Sequence, residues 1–227
     1  MTLTTYADLE QGSPEWLDAR CGLLTASTIG KLITPSTLKV ADNETSRGLT
    51  MTLAAERITG HVDYVYPTAD MQRGTDDEPF AREAYRQAFA PVDEVGFITL
   101  DAGGYKLGYS PDGLVGPTGL IEIKSRKPKE HLKTVLKGLP PLENMAQMMA
   151  GMFITNREWC DYISYSAGLP LWVYRVRPDQ RWFDAISLAA NEFEINVTNI
   201  VNNFNAATEG LPATERRPDY EEVTLQL

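Results

Sequence analysis

Two carboxylates and one amine occur close together in the middle of the chain. Asp112 is followed by a short apolar run that contains Glu122 and Lys124. Successive side chains of a strand point to opposite faces, so Glu122 and Lys124 share one face while Ile121 and Ile123 share the other. An unpaired charge on a buried face costs several kcal/mol, so the charged face requires water, a partner or a metal ion.

This spacing is typical of a metal site that acts on phosphate. Asp112 at the end of one strand and Glu122 in the next can converge on one divalent cation, and Mg²⁺ is usually held by one or two carboxylates together with substrate phosphate. Lys124 would then lie beside the attacking water or the scissile phosphate, where its charge offsets developing negative charge. The alternative is an exposed Glu-x-Lys ion pair, which contributes only about 0 to 1 kcal/mol.

The net charge of the chain argues against a nucleic-acid substrate, whereas the local charge of one segment supports it. The net charge of −10 and the pI near 4.7 are opposite to the usual basic surface of a DNA-binding protein. Between Leu120 and Lys137, however, six Lys/Arg residues oppose two acids, which gives a local net charge of +4. We therefore expect a basic channel on an acidic body, with weak and salt-sensitive binding.

Periodicity and turn residues predict the elements that position these side chains. A Ser13 cap starts a first helix that ends at Arg20, and Gly60 ends a later one. Helices are predicted at 14–20, from 25–27 onward, 44–59, 78–89, 128–136, 142–154 and 183–204. Strands are predicted at 92–99, 105–109, 120–124, 161–166 and 171–177, with the first three forming an antiparallel meander.

Length and composition favour one domain over residues 1–227, since 43% of the residues are hydrophobic. Residues 205–227 carry five acids against two Arg and are interpreted as a C-terminal arm or a frayed end. Neither a signal peptide nor a membrane span is apparent, so a cytoplasmic protein is expected. Cys21 and Cys160 are isolated, which predicts two reduced cysteines and excludes a four-cysteine iron–sulfur cluster.

The chain resembles the PD-(D/E)XK nucleases, and within them the bacteriophage lambda exonuclease group, also called YqaJ-like viral recombinases. Ser110-Pro111-Asp112-Gly113 and Glu122-Ile123-Lys124 match the two central motifs. Further segments match in the same order: Trp16–Arg20 with Leu24–Ser27, Arg73–Glu78 and Met145–Met148. The Glu-x-Lys motif is weakly specific alone, but the ordered set spans about residues 13 to 155.

The resemblance implies an α/β (α+β) fold with a central mixed, largely antiparallel sheet flanked by helices, as in the restriction-endonuclease-like core. It assigns two Mg²⁺ ions, replaceable by Mn²⁺, to Glu78, Asp112, Glu122 and the Ile123 carbonyl. Lys124 would steer the nucleophile, with Gln147 nearby.

Two of these assignments compete with structural interpretations. Thr75 to Glu78 also fits a capping box, in which the Glu side chain serves the helix start. Gln147 could equally be a core amide with satisfied hydrogen bonds. The Gln-x-x-x-Tyr pattern of helicase-linked nucleases is broken, because Gly151 stands where the Tyr would be.

A second site is predicted near the N-terminus. A helix start with nearby hydroxyls and an Arg can bind phosphate oxygens, and the resemblance assigns the 5′-phosphate of DNA to Arg20, Thr25, Ser27 and Ser110. The alternative is ordinary helix capping, with Arg20 on a solvated face.

The resemblance implies a 5′-to-3′ exonuclease that degrades one strand of linear double-stranded DNA, preferably 5′-phosphorylated, and leaves 3′ overhangs. It further implies a ring-shaped homotrimer and a single-strand annealing protein as partner, in a bacterial host and of phage or prophage origin. Three alternatives remain open: a site-specific or structure-specific endonuclease, a non-catalytic DNA-end-binding module, and a structural interaction protein.

Overall fold

The strand that carries Glu122 and Lys124 lies inside a four-stranded sheet, with a neighbour on each side. The computed structural model describes residues 1–63 and 65–216. Residues 205–207 of the predicted C-terminal arm belong to the last helix, and residues 217–227 of it lie outside the described residues.

The helices and strands alternate along most of the chain. The α-helices are α1 Pro14–Arg20, α2 Glu44–Thr59, α3 Ala69–Ala88, α4 Pro128–Lys137, α5 Met145–Thr155 and α6 Gln180–Ala207, with 3-10 helices at Ile29–Leu32 and Leu142–Asn144. The strands are β1 Thr2–Tyr6, β2 Leu24–Thr25, β3 Ile33–Thr34, β4 Lys39–Val40, β5 Phe97–Asp101, β6 Lys106–Tyr109, β7 Gly113–Val115, β8 Gly119–Ser125, β9 Trp159–Tyr165 and β10 Trp172–Val176.

Hydrogen bonding arranges most of these strands in two sheets, with orders β1-β5-β6-β2 and β10-β9-β8-β7. The β2–β6 and β8–β9 pairs are parallel and the other pairs are antiparallel. A mixed, largely antiparallel α/β fold is thus confirmed. The predicted meander is wrong beyond β6, because β8 pairs with β7 and β9 instead. Pro111, between β6 and β7, has no N–H with which to continue a ladder.

Strand β8 separates two apolar cores. Ile121 and Ile123 pack in the smaller core, which includes Tyr85 of α3. Leu120 belongs to the larger core, to which α5 and α6 contribute most of their buried residues. The two-residue alternation expected for this strand is confirmed, and it directs Glu122 and Lys124 away from the Ile121 side.

The start of α3 differs from the prediction. Thr68 caps the helix by accepting a hydrogen bond from Met71 N, so α3 begins at Ala69, well before the expected Glu78. Thr75 lies inside the helix and its hydroxyl donates to the Met71 carbonyl, which excludes the capping-box interpretation of Glu78. The polar first half of α3 has little apolar periodicity to announce it.

Other local expectations also changed. The helix expected from Thr25 is instead a β-strand end and a hydroxyl-bonded turn, followed by the 3-10 helix that begins at Ile29. Threonine hydroxyls that bond to nearby backbone compete with helix formation. Strand β1 was not predicted, since all five of its residues are exposed and show no apolar alternation. None of the helices in the described residues is long and apolar enough to cross a bilayer.

Candidate active site

We call the cluster of Glu78, Asp112, Glu122 and Lys124 the acidic site. A buried ion pair forms its centre. Glu122 is 0% exposed, and the ammonium of Lys124 lies 2.7 Å from its Oε1. Lys124 Nζ also donates a 3.1 Å hydrogen bond to Gln147 Oε1 on α5. Burial alone would lower the pKa of Lys124, but Glu122 and Asp112 raise it above the ordinary value. Lys124 is therefore a fixed cation at neutral pH.

The Glu122 carboxylate is poorly satisfied despite this ion pair. Neither of its oxygens has a well-aligned hydrogen-bond partner in the described structure. Burial raises its pKa to about 8; Lys124 opposes this rise, whereas the charges of Asp112 and Glu78 add to it. A buried carboxylate that faces one ammonium and has no well-aligned hydrogen-bond donor favours either a proton or a metal ion.

Asp112 is held against β8 by the turn between β6 and β7. Its Oδ2 accepts a 2.5 Å hydrogen bond from the backbone N–H of Ile123. Burial raises the pKa of Asp112, although Lys124 and this N–H both act to lower it. The turn thus joins the Asp112 carboxylate to the strand that carries Glu122.

Glu78 reaches the same site from α3, where Arg82 holds it. Arg82 pairs with the Glu78 carboxylate one helical turn away and donates 2.8 Å to the Asp112 carbonyl and 2.6 Å to Glu94 Oε2. Burial, followed by the charge of Asp112, raises the pKa of Glu78 to about 7. Arg82 is therefore a buried cation that joins two of the predicted metal-binding residues.

The three carboxylates fit a divalent cation by chemistry, but not without rearrangement. Hard cations prefer oxygen ligands, and Glu122 offers two oxygens with no well-aligned partner. Within residues 1–63 and 65–216, no group of three or more His, Cys, Asp or Glu side chains could hold a metal ion as it stands. Glu78 is occupied by Arg82 and Asp112 by the Ile123 N–H, so metal binding requires these side chains to turn.

Gln147 contacts the site directly, as its bond to Lys124 shows. The bond also satisfies the amide oxygen, so the structure is compatible with both interpretations of Gln147. The methionines beside it at Met148, Met149 and Met152 are buried in the larger core, as expected for a gap-filling stripe.

The four residues of the predicted phosphate site form two groups. The Arg20 guanidinium stacks on the Trp16 ring at 4.0 Å, and Trp16 Nε1 donates 2.9 Å to Ser110 Oγ. No hydrogen bond or ion pair holds this guanidinium within the described residues. Burial lowers the pKa of Arg20 to about 10, while Glu56 acts in the opposite direction. Arg20 thus remains charged at neutral pH with its donors open.

Thr25 and Ser27 form the second group. The buried Thr25 Oγ1 lies 3.1 Å from Ser27 Oγ and 3.0 Å from Thr28 Oγ1. No bond joins these hydroxyls to Arg20 in the described structure, so an anion would have to bridge the two groups. The capping interpretation fails for Thr25, which lies in β2, whereas Thr28 is the cap position of the short 3-10 helix.

Two residues of these sites were not anticipated in these roles. Arg82 was missed, although its spacing of four residues from Glu78 on a helix is a usable signal. Trp16 was expected only as part of the Trp16–Arg20 motif. Its hydrogen bond to Ser110 spans 94 positions of the chain. A contact of that range has no local sequence signature.

Comparisons with known proteins show the family of the chain. The model of the YqaJ-like viral recombinase domain matches residues 15–158, more than half of the chain. No curated protein sequence matches. A crystal structure of an alkaline exonuclease, LHK-Exo, from Laribacter hongkongensis is 32% identical with a TM-score of 0.76, covering 88% of this chain and 100% of that chain. Its complex with dAMP gives 32% identity, a TM-score of 0.75 and the same coverage.

A phage related exonuclease from Haemophilus somnus 129PT matches with a TM-score of 0.59 at 10% identity, covering 80% of this chain and 96% of that chain. At that identity the match concerns the fold alone. The family model covers the segments that contain Glu78, Asp112, Glu122 and Lys124. On this match and on the similarity to LHK-Exo, the chain belongs to the YqaJ-like viral recombinase family.

Proposed function

We propose that the protein is a Mg²⁺-dependent exonuclease that degrades one strand of linear double-stranded DNA from its 5′ end and leaves 3′ single-stranded overhangs. Membership of the family and similarity to an alkaline exonuclease support the nuclease class. The observation that carries the proposal is the buried Glu122 carboxylate beside Lys124 and Asp112, which has no well-aligned hydrogen-bond partner in the described structure.

Glu78, Asp112, Glu122 and the Ile123 carbonyl would hold two Mg²⁺ ions, and Mn²⁺ would replace them. When bound, the ions supply activation of the attacking water and stabilisation of the leaving 3′ oxygen. When Glu78 turns away from Arg82 to bind metal, the Arg82 guanidinium still donates to Glu94 and to the Asp112 carbonyl. The loss of the ion pair with Glu78 is therefore compensated.

Lys124 supplies the fixed positive charge of the site. Glu122 and Gln147 hold its ammonium in place, so it can orient the attacking water and offset negative charge on the phosphoryl oxygens without reorganisation. Gln147 acts on the site through its hydrogen bond from Lys124.

The direction of degradation would follow from the predicted phosphate site of Arg20, Thr25, Ser27 and Ser110, which we call the Arg20 pocket. The open Arg20 donors, with the hydroxyls of Ser110, Thr25 and Ser27, fit the oxygens of a terminal 5′-phosphate. Binding of that phosphate would position the adjacent phosphodiester for cleavage. This binding would also explain the proposed preference for 5′-phosphorylated ends.

The resemblance further supports a homotrimeric ring and a single-strand annealing protein as partner, in the bacterial cytoplasm during phage-type recombination. A ring would keep the substrate enclosed despite the net charge of −10. Light scattering of the purified protein tests the trimer, and co-purification with a candidate annealing protein tests the partner.

The deciding experiment compares duplexes labelled at the 5′ or the 3′ end with closed circular DNA, in Mg²⁺ and in chelator. We expect early release of the 5′ label, late release of the 3′ label, intact circles and no reaction in chelator. Cleavage of circles would indicate an endonuclease, and end binding without turnover would indicate a non-catalytic binding module.

A further inference from the structure

The hydroxyl of Tyr109 is buried close to the acidic site and has no hydrogen-bond partner among the described residues. Tyr109 ends strand β6 and is 1% exposed. Its hydroxyl is buried without a hydrogen-bond partner in the described structure. Most buried hydroxyls in folded proteins are hydrogen-bonded, so this exception calls for a physical reason.

The ring of Tyr109 occupies the space beside helix α5 at Gly151. A Cβ atom at Gly151 would lie 2.8 Å from Tyr109 Cζ and 3.0 Å from its hydroxyl oxygen. Gly151 lies one helical turn after Gln147, on the same face of α5. Because Gln147 accepts the hydrogen bond from Lys124, the Tyr109 hydroxyl lies on the side of α5 that faces the acidic site.

The same arrangement explains the broken Gln-x-x-x-Tyr pattern. A larger side chain at residue 151 would collide with the Tyr109 ring. A phenol hydroxyl therefore enters this space from strand β6, in place of one from helix α5.

Glu122 provides the matching acceptor. Burial raises the pKa of Tyr109 well above the ordinary value, and the charge of Glu122 raises it further. Both oxygens of Glu122 also lack well-aligned partners. Tyr109 belongs to the same core as Leu120, which shares one face of β8 with Glu122. The Lys124 ammonium faces Glu122 Oε1, which leaves Oε2 as an acceptor for the Tyr109 hydroxyl.

We propose that Tyr109 is a positioning residue for Glu122: its hydroxyl donates a hydrogen bond to the Glu122 carboxylate, directly or through one water, when that carboxylate binds the divalent cation. This inference rests on the proposed metal-dependent function. A hydrogen bond of this kind fixes the orientation of a carboxylate ligand and favours its ionised form.

The test is Tyr109→Phe, which removes the hydroxyl and keeps the ring against Gly151. Titration calorimetry with Mn²⁺, in the absence of DNA, should show an affinity about 10-fold lower than that of the parent, the lower end of the loss seen on removing partners of metal ligands. The Tm in chelator should not fall, because the metal-free protein loses no hydrogen bond.

Tyr85→Phe is the matched control. Tyr85 is equally buried at 1% exposure, but its hydroxyl donates 2.7 Å to Asp161 Oδ2 on the other side of β8. We expect this variant to have a lower Tm in chelator and an unchanged Mn²⁺ affinity.

Two results would overturn the inference. One is a Tyr109→Phe variant that binds Mn²⁺ as tightly as the parent, while the parent does bind the ion. The other is a Tm loss in chelator as large as that of Tyr85→Phe, which would show that the hydroxyl is already paired without metal. A parent protein that binds no Mn²⁺ would instead remove the proposed function itself.

Discussion

The acidic site and the Arg20 pocket balance their charges in opposite ways. In the acidic site each acid already has a partner: Lys124 lies against Glu122 and Arg82 pairs with Glu78. In the pocket, the Arg20 guanidinium stacks on Trp16 and has no ion pair within the described residues. In the acidic site two cations offset most of the charge of three carboxylates, whereas the Arg20 pocket keeps an open positive charge.

The difference indicates how each site would bind its ligand. An open guanidinium beside hydroxyls can accept an anion with little rearrangement, which keeps the entropic cost of binding low. In the acidic site, Glu78 and Asp112 must turn before they bind a cation, and the raised pKa values of all three carboxylates make a proton a competitor of the metal ion. Ligand binding should therefore reorganise the acidic site and leave the pocket almost unchanged.

The largest expected effect is the loss of catalysis when a charge is removed from the acidic site. Lys124→Ala and Asp112→Ala should each lower the rate of digestion of linear duplex DNA by more than about 100-fold, the scale for a preorganised charge at the transition state. Circular dichroism should show a nearly unchanged fold. Lys39→Ala, at an exposed position of β4 outside the basic segment 120–137, is the control and should digest DNA at nearly the parental rate. Parental activity of either site variant would show that the site is misassigned.

Glu122→Gln tests whether the acidic site is strained in the absence of metal. The pKa of Glu122 is about 8 in the folded protein against 4.5 for an ordinary Glu, so folding disfavours its ionised form. The contribution of Glu122 to stability is therefore greatest below pH 4.5 and decreases as the pH rises towards 8. Glu78 and Asp112, whose pKa values are also raised, act in the same direction.

In chelator, the Tm of the parent should fall between pH 5 and 8, and Glu122→Gln should reduce this fall and have the higher Tm at pH 8. Mg²⁺ should raise the Tm of the parent by mass action but not that of the variant. Scanning calorimetry at several pH values provides both readouts. A variant that is less stable than the parent at pH 8 would contradict the strain argument.

The sequence predicted the features of these sites that depend on local pattern. The Ser13 and Gly60 caps placed one end each of α1 and α2 correctly, and the alternation in β8 separated Glu122 from Ile121. Capping and strand periodicity act over a few residues, so they are visible in a single sequence.

The sequence did not predict the features that depend on distant contacts. The early start of α3 depends on Thr68 and on a polar stretch without a period, and the division into two sheets follows from the pairing of β8 with β9, which is far along the chain. Arg82 donates hydrogen bonds to Glu78, Glu94 and the Asp112 carbonyl. Only the tertiary structure brings these three residues to one guanidinium.

Arg20→Ala should weaken the preference for 5′-phosphorylated ends and leave phosphodiester hydrolysis itself intact. A charge-assisted hydrogen bond contributes roughly 1.5 to 3 kcal/mol, so the preference for 5′-phosphoryl over 5′-hydroxyl ends should fall by about 10-fold or more. Competition between the two substrates measures the ratio directly. Arg47→Ala is the control, since Arg47 is exposed and its one ion-pair partner among the described residues is the exposed Asp42. An unchanged ratio in Arg20→Ala would remove this residue from phosphate recognition.

The smallest effect should come from the loop that positions Arg20. Glu56 Oε2 accepts a 2.7 Å hydrogen bond from Gly22 N, and Arg57 Nε donates 2.8 Å to Gly22 O. Gly22 has φ +64, and a Cβ atom there would lie 2.3 Å from Arg57 Cγ. Gly22→Ala should therefore displace this loop and weaken the 5′-phosphate preference, by less than Arg20→Ala because the guanidinium remains.

Gly60→Ala separates backbone strain from displacement of the loop. Gly60 has a similar φ of +66, but a Cβ atom there meets nothing within 4 Å. Both variants should lose about 1 kcal/mol of stability from the left-handed backbone conformation, and only Gly22→Ala should lose phosphate preference. Because α2 holds Gly22 through two residues, equal preferences in the two variants would mean that Arg20 is positioned by its stacking on Trp16 alone.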